Sequence, residues 1–292
     1  MAAKGRRKMI LVITAILMTI TVMAMFLSGC GSTAGAETGQ SSAEELSVTF
    51  IDVGKGDCIL LEKDSSVILI DTGYKESADS VIGYLKDRGI TRIDYLIITH
   101  YDKDHVGGAA RIAEAFEVAQ IYLPDYEGSS KYYTAFMEVI EAAGLNASRV
   151  SEDISLDISG VTLEIYASDV EYDATSGSEG NDNDVSLVVA AIYGEDSYLF
   201  AGDIEKAGIK AYLAAGHGEY DVLKMPHHGK SSGKLADFVE RVNEQIAVIT
   251  DSTDDPAEDA VLEMLGSADV YRSAVNGTVT ITGTGDGVYT TE

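Results

Sequence analysis

From residue 47 onward, short apolar runs alternate with turn-forming residues. Residues 47–53, 58–62 and 67–71 are apolar stretches separated by Gly, Lys, Asp and Ser, the pattern of three strands in a meander. Residues 77–87 then place Val81, Ile82 and Leu85 at helical spacing, and Gly89 ends that helix. The spacing next predicts a strand over 93–99, a helix over 108–116, a strand over 119–123 and a helix over 131–144. In the second half, 161–166, 185–193 and 197–201 read as strands, the last two joined by the turn Gly194-Glu195-Asp196. Helices over 208–215, 235–242 and 257–265 alternate with strands over 222–225 and 246–250, and strands over 270–272 and 278–282 close the chain. Burying these runs takes two mixed sheets with helices outside both, an αββα sandwich. No internal linker or short-period repeat interrupts it, so residues 47–292 read as one domain.

The start of the chain follows a different pattern. Lys4, Arg6, Arg7 and Lys8 precede an almost unbroken apolar run over 9–27, and Leu27-Ser28-Gly29-Cys30 resembles the lipobox of bacterial lipoproteins. Residues 1–29 are therefore expected to be a signal peptide, with Cys30 as the lipid-bearing first residue of the mature chain. The alternative is an uncleaved anchor, since the run is long enough to span a bilayer. Either arrangement puts the domain outside the cytoplasm, attached to the cell membrane. Residues 30–46 hold the lipidated Cys and a Gly-, Ser- and Thr-rich tether, which would span roughly 22 Å as a flexible coil.

The formal charge is −27. Removing residues 1–29 takes away four positive charges and no negative ones, leaving −31. So acidic a body argues against a broad basic groove for nucleic acid. Besides Cys30 the chain has one cysteine, Cys58, within an apolar run, which reads as a buried inert thiol with no disulfide partner.

The chemistry concentrates in Ile98-Thr99-His100-Tyr101-Asp102-Lys103-Asp104-His105-Val106-Gly107-Gly108. Four metal-ligating side chains fall within six positions directly after an apolar run, so a strand ending in a short loop can point all four into one cavity. The pattern HxDxDHxGG resembles the HxHxDH signature of the metallo-β-lactamase superfamily, with Asp102 where the second His usually stands. Further stretches resemble one branch of that superfamily, the hydrolase domain of ComEC-type DNA-uptake proteins and its stand-alone relatives. They are Phe50-Ile51-Asp52-Val53-Gly54-Lys55-Gly56-Asp57, Asp71-Thr72-Gly73, Gly180-Asn181-Asp182-Asn183-Asp184-Val185-Ser186-Leu187, Phe200-Ala201-Gly202-Asp203 and Asp221-Val222-Leu223-Lys224-Met225-Pro226-His227-His228-Gly229.

The resemblance implies two divalent ions, with His100, Asp102, Asp104, His105, Asp203 and one of His227 and His228 as ligands and Asp203 bridging. Strand geometry gives His227 the ligand place and leaves His228 to protonate the leaving group, so Asp104 and His228 are the catalytic candidates. Asp71, Asn183, Asp184 and Lys224 are expected to support the ligands. The superfamily usually supplies one more His shortly before the bridging Asp, and this chain has none there. His217 comes after it and reads as a surface residue at a helix end. Exchanging imidazole for oxygen moves the preference from Zn2+ towards Mn2+ or Mg2+, so Mn2+ is expected to serve at least as well as Zn2+.

Such an ion pair would hold a bridging hydroxide and stabilise an in-line displacement at phosphorus, which points to phosphodiester hydrolysis on DNA, RNA or smaller envelope phosphodiesters. Ester, lactone or thioester hydrolysis and a non-catalytic surface binding module are the alternatives. A phosphodiester substrate, nucleic acid included, and the membrane through the lipid anchor are the partners implied; no protein partner is. Lys55, Lys103, Lys224, Lys230 and Lys234 lie in or beside the motifs and would form a phosphate-attracting rim. Tyr74, Tyr101, Tyr126, Tyr132 and Tyr133 read either as base-stacking or as packing residues.

Overall fold

The computed structural model describes residues 45–175 and 181–291. The expected signal segment, the lipidation residue Cys30 and the tether up to residue 44 lie outside the described residues. Leu46, taken from the sequence as the end of the tether, is instead fully buried and opens the first strand.

The first half builds β1 (Leu46–Phe50), β2 (Ile59–Lys63), β3 (Ser66–Ile70), α1 (Ala78–Asp87), β4 (Arg92–Ile97), α2 (Ala109–Ala115), β5 (Glu117–Pro124), α3 (Lys131–Ala143) and β6 (Ala147–Val150). The second half adds β7 (Ile154–Ile158), β8 (Val161–Tyr166), β9 (Val188–Tyr193), β10 (Asp196–Phe200), α4 (Lys206–Ala215), β11 (Val222–Lys224), α5 (Leu235–Val242), β12 (Ile246–Ile249), α6 (Asp259–Met264), β13 (Asp269–Arg272), β14 (Val279–Gly283) and β15 (Val288–Thr291). One sheet runs β15-β14-β1-β2-β3-β4-β5-β6 and the other β13-β12-β11-β10-β9-β8-β7.

Period-two burial assembles the layers. In β2, Ile59 and Leu61 face the other sheet while Leu60 faces the helices; β3 repeats this with Ile68 and Ile70 against Leu69. The inter-sheet core joins Val48, Phe50 and Ile97 to Leu163, Val189 and Phe200. A second core packs α1, α2 and α3 on the outer face of the first sheet, and a third packs α4, α5 and α6 on the second. Leu235, Phe238, Val239 and Val242 form the buried stripe of α5 at helical spacing. The architecture is the expected αββα sandwich.

β6, β7 and β15 are strands that the hydrophobic pattern does not announce. At the sheet edges, β6 carries Ser148 and Arg149 side by side and β7 exposes Ser155 and Asp157. The run 185–193 divides, because 183–185 form one 3-10 turn and the strand starts at Val188.

Strands β3 to β6 pair in parallel, as do β10 to β13. Ligands of open parallel sheets bind beyond the carboxyl ends of such strands. Asp71, His100, Asp203, Lys224 and Thr250 all lie at those ends. The loop after β4 is held against its neighbours by main-chain hydrogen bonds from Thr72 N to His105 O (2.9 Å) and from Asp57 N to Asp104 O (3.1 Å).

Gly107 makes this crossing possible. A Cβ there would lie 2.1 Å from Lys103 O, 2.7 Å from Lys75 N and 2.9 Å from Gly73 O, all backbone atoms that cannot yield locally. Gly107→Ala is therefore expected to lower stability by about 1–3 kcal/mol. Gly83→Ala, inside α1 with open space around it, should raise stability by about 0.5–1 kcal/mol. Urea unfolding of both variants checks the pair; equal effects would contradict the close packing at Gly107.

Candidate metal centre

Asp71 organises the site from behind. Its Oδ1 accepts from Thr99 N (2.8 Å), and its Oδ2 accepts from Thr99 Oγ1 (2.7 Å) and His105 Nδ1 (2.8 Å). His105 Nδ1 thus carries the hydrogen and Nε2 presents a lone pair. Thr99 Oγ1, already donating to Asp71, accepts from His100 Nδ1 (3.1 Å), which fixes His100 in the same tautomer. Across the seam, Thr250 Oγ1 donates to Asp57 Oδ1 (2.6 Å) and accepts from His228 Nδ1 (3.0 Å). Three imidazoles therefore turn Nε2 inward, each oriented by an oxygen on its far side.

Those lone pairs meet carboxylates. His105 Nε2 and His228 Nε2 are 3.3 Å apart and lie 3.2 and 3.0 Å from Asp203 Oδ2, with Asp104 Oδ2 3.5 Å from His228 Nε2. His100 Nε2, fully buried, has no hydrogen-bond partner and lies 3.7 Å from Asp102 Oδ2. Lone pairs and anions facing one another at these distances require a cation or a proton between them. Two groups, His100 with His105 and Asp203, and Asp104 with His105 and His228, bring their ligand atoms within 4.8 Å of one another. The residues fit divalent metal.

The same electrostatics shift Asp203, His105 and His228. Burial would push the Asp203 carboxyl up, but His228, His105 and Lys224 hold it well below the usual carboxylate range. Burial would likewise lower His105 and His228, yet Asp203, joined at His105 by Asp71, raises both. A divalent ion bound there would take the place of those protons.

A profile of the Metallo-beta-lactamase superfamily matches residues 51–249. The chain belongs to the metallo-β-lactamase superfamily. It is 25% identical over 261 residues to ComE operon protein 3 of Bacillus subtilis and 27% identical over 244 residues to Recombination protein 2 of Haemophilus influenzae, both competence proteins of the ComEC type. These matches cover 81% and 82% of this chain but only 33% and 28% of the relatives. Among solved structures, the metallo-β-lactamase fold protein YhfI from Bacillus subtilis is similar in fold, with a TM-score of 0.51 at 10% identity over 82% of this chain and 100% of that one.

Within this metallo-β-lactamase fold, the structure brings together His100, Asp102, Asp104, His105 and Asp203. It reverses the order read for the two histidines. Both have left-handed backbone (φ 45° and 53°), which turns His228 into the cluster, while His227 stays 24% exposed with Nδ1 2.9 Å from Glu205 Oε1. Asp71 lies behind His105, 2.8 Å from its Nδ1. Asn183 donates to Glu205 Oε1 (3.3 Å), and Asp184 Oδ1 accepts from Ala207 N and Gly208 N (2.8 and 2.9 Å) at the start of α4, so neither backs a cluster residue in these contacts.

Lys224 is not part of any surface rim. It is fully buried, with Nζ 2.5 Å from Asp57 Oδ2, 2.9 Å from Gly202 O and 3.3 Å from Asp203 Oδ1. Lys55 and Lys230 both pair with Asp255, and Lys234 pairs with Asp237, which neutralises much of that rim. Asp57, given no role from sequence, proves central; it stands in the Gly-Lys-Gly-Asp run already noted. His217 packs on Tyr166 and Tyr212 (ring centroids 4.0 and 4.7 Å), away from the cluster. Tyr101, Tyr126 and Tyr133 are buried against one another, Tyr74 hydrogen-bonds Asp104, and Tyr132 lines a cavity beside the site. Cys58 is buried and unpaired among the described residues, and burial pushes its thiol up, as an inert core thiol requires.

Lys224→Met leaves Asp57 buried without its counter-charge. The metal-free protein should lose about 3–5 kcal/mol of stability, and adding Asp57→Asn should recover part of it. A double-mutant cycle by urea unfolding measures this; strictly additive losses would contradict the ion pair.

Proposed function

We propose that this chain is an extracytoplasmic, lipid-anchored hydrolase that cleaves phosphodiesters with two divalent ions. The observation that carries the reading is the convergence of three inward Nε2 lone pairs on the Asp203 carboxylate, with His100 Nε2 buried and unpartnered. His100, Asp102, Asp104, His105, Asp203 and His228 would hold the ions, which supply Lewis acidity and a nucleophile at neutral pH. His227, its ring oriented by Glu205 and its backbone N bonded to Gly202 O (3.3 Å), stands beside the cluster and serves as proton donor to the departing oxygen. Its hydrogen bond holds the Glu205 carboxyl below its ordinary value, which keeps that partner anionic.

Substrate enters through a cavity of about 160 Å³ lined by Asp102, Lys103, Asp104, Ser129, Ser130 and Tyr132. Tyr132 also lines a cleft of about 610 Å³ carrying Lys75, Arg111 and Lys131 beside Glu114 and Glu138. On a chain of net charge −27, the ammonium groups of Lys75 and Lys131 offer a phosphate-bearing ligand a local attraction there, while Arg111 is paired with Asp79. The oxygen-rich ligand set supports Mn2+ alongside Zn2+. Likeness to competence proteins supports a nucleic acid among the substrates, and the lipobox ending at Cys30 supports attachment to the membrane outside the cytoplasm.

The protein loaded with Mn2+ or Zn2+ should turn over a chromogenic phosphodiester faster than a phosphomonoester, lactone or carboxylic ester; turnover of the lactone or ester alone would replace the substrate class. Asp104→Ala and Asp203→Ala should each lower hydrolysis at least about a hundredfold and reduce bound metal. Asp102→His should lower the ratio of Mn2+-supported to Zn2+-supported activity, and an unchanged ratio in the folded, loaded variant would remove Asp102 from the ligand set.

A further inference from the structure

The inward face of Asp102 and His100 has too few partners. His100 Nε2 is a buried lone pair with no hydrogen bond, and the Asp102 carboxylate lies 3.7 Å from it. Asp182, in the one-turn segment before β9, lines the same 160 Å³ cavity as Asp102 and Asp104. It is only 9% exposed, and its Oδ1 is buried without a hydrogen-bond partner. The Tyr126 and Tyr172 hydroxyls lie near its carboxyl group.

Its neighbours are engaged elsewhere. Asn181 bonds Asp173 N (2.6 Å) and Glu171 O (3.0 Å), Asn183 reaches Glu205, and Asp184 binds the first amides of α4. Asn183 Oδ1 is also buried without a partner, but Asn183 does not line the cavity. Two carboxylates on one cavity wall, Asp102 and Asp182, with the buried His100 lone pair behind them 3.7 Å from Asp102, offer a hard divalent cation more oxygen than nitrogen.

We propose that Asp182 is a ligand of the ion held by His100 and Asp102, completing a site that lacks a further histidine. This assignment rests on the two-ion reading above. It makes that position richer in carboxylate than the position formed by Asp104, His105 and His228, so the two ions are held unequally and the first position is the one selective for Mn2+.

The test is calorimetric titration of the full-length, metal-stripped protein with Mn2+ alone, beside thermal unfolding of the metal-free form. The native protein should take up two equivalents. Asp182→Asn, which keeps shape but removes the anion, should keep one equivalent and bind the other at least about tenfold more weakly, while its metal-free unfolding midpoint is not lowered. Asn183→Ala should keep both equivalents. Two unchanged equivalents in Asp182→Asn, a lowered metal-free midpoint marking a purely structural carboxylate, or loss of an equivalent in Asn183→Ala alone would overturn the assignment while leaving the two-ion reading intact. A native protein that binds no Mn2+ would remove both.

Discussion

The ammonium of Lys224, sealed between Asp57 and Asp203, is the fixed charge on which the seam between the two sheets depends. Buried carboxylates are costly unless opposite charge or hydrogen bonds surround them. Asp57 belongs to the first sheet's opening loop, Asp203 follows β10 and Lys224 ends β11. Their contacts at 2.5 and 3.3 Å therefore join the two halves of the chain through one point. The same anchor sets where Asp203 presents its other oxygen, Oδ2, to His105 and His228. Structural electrostatics and ligand geometry are one arrangement here.

Around that anchor, each inward imidazole is fixed by an oxygen behind it: Asp71 for His105, Thr99 for His100, Thr250 for His228. Such backing sets tautomer and ring direction before any ion arrives. Backbone strain contributes too. Asp71, His227 and His228 all adopt left-handed φ, unfavourable for residues with a Cβ, and all three border the cluster. The turn at 226–229 uses that conformation to send consecutive histidines in different directions, one towards the carboxylates and one towards Glu205.

The layers and the first motif were legible in the chain because both are local. Alternation in β2 and β3 and helical spacing in α1 and α5 reflect burial directly, and HxDxDH places four ligands within one loop. Other features depend on distant partners and leave little local trace. Which of His227 and His228 faces the metal depends on two φ angles that neighbouring residue types do not announce. Lys224 reads from the chain both as a rim cation and as support for the ligands, and only its burial against Asp57, far away in sequence, separates the two. Asp182 is one of several Asn and Asp residues in a row, where only the fold separates the one lining the cavity from those capping a turn or a helix. The edge strands β6 and β7 were hidden because their outward positions are polar and half exposed.

The most direct test of the proposed dinuclear centre is anomalous diffraction at the manganese edge from crystals of the full chain soaked in Mn2+. Two peaks are expected inside the cluster, one against His100 and Asp102, the other against Asp104, His105 and His228, with Asp203 touching both and His227 touching neither. A single peak, no peak, or a peak held by His227 would contradict this account.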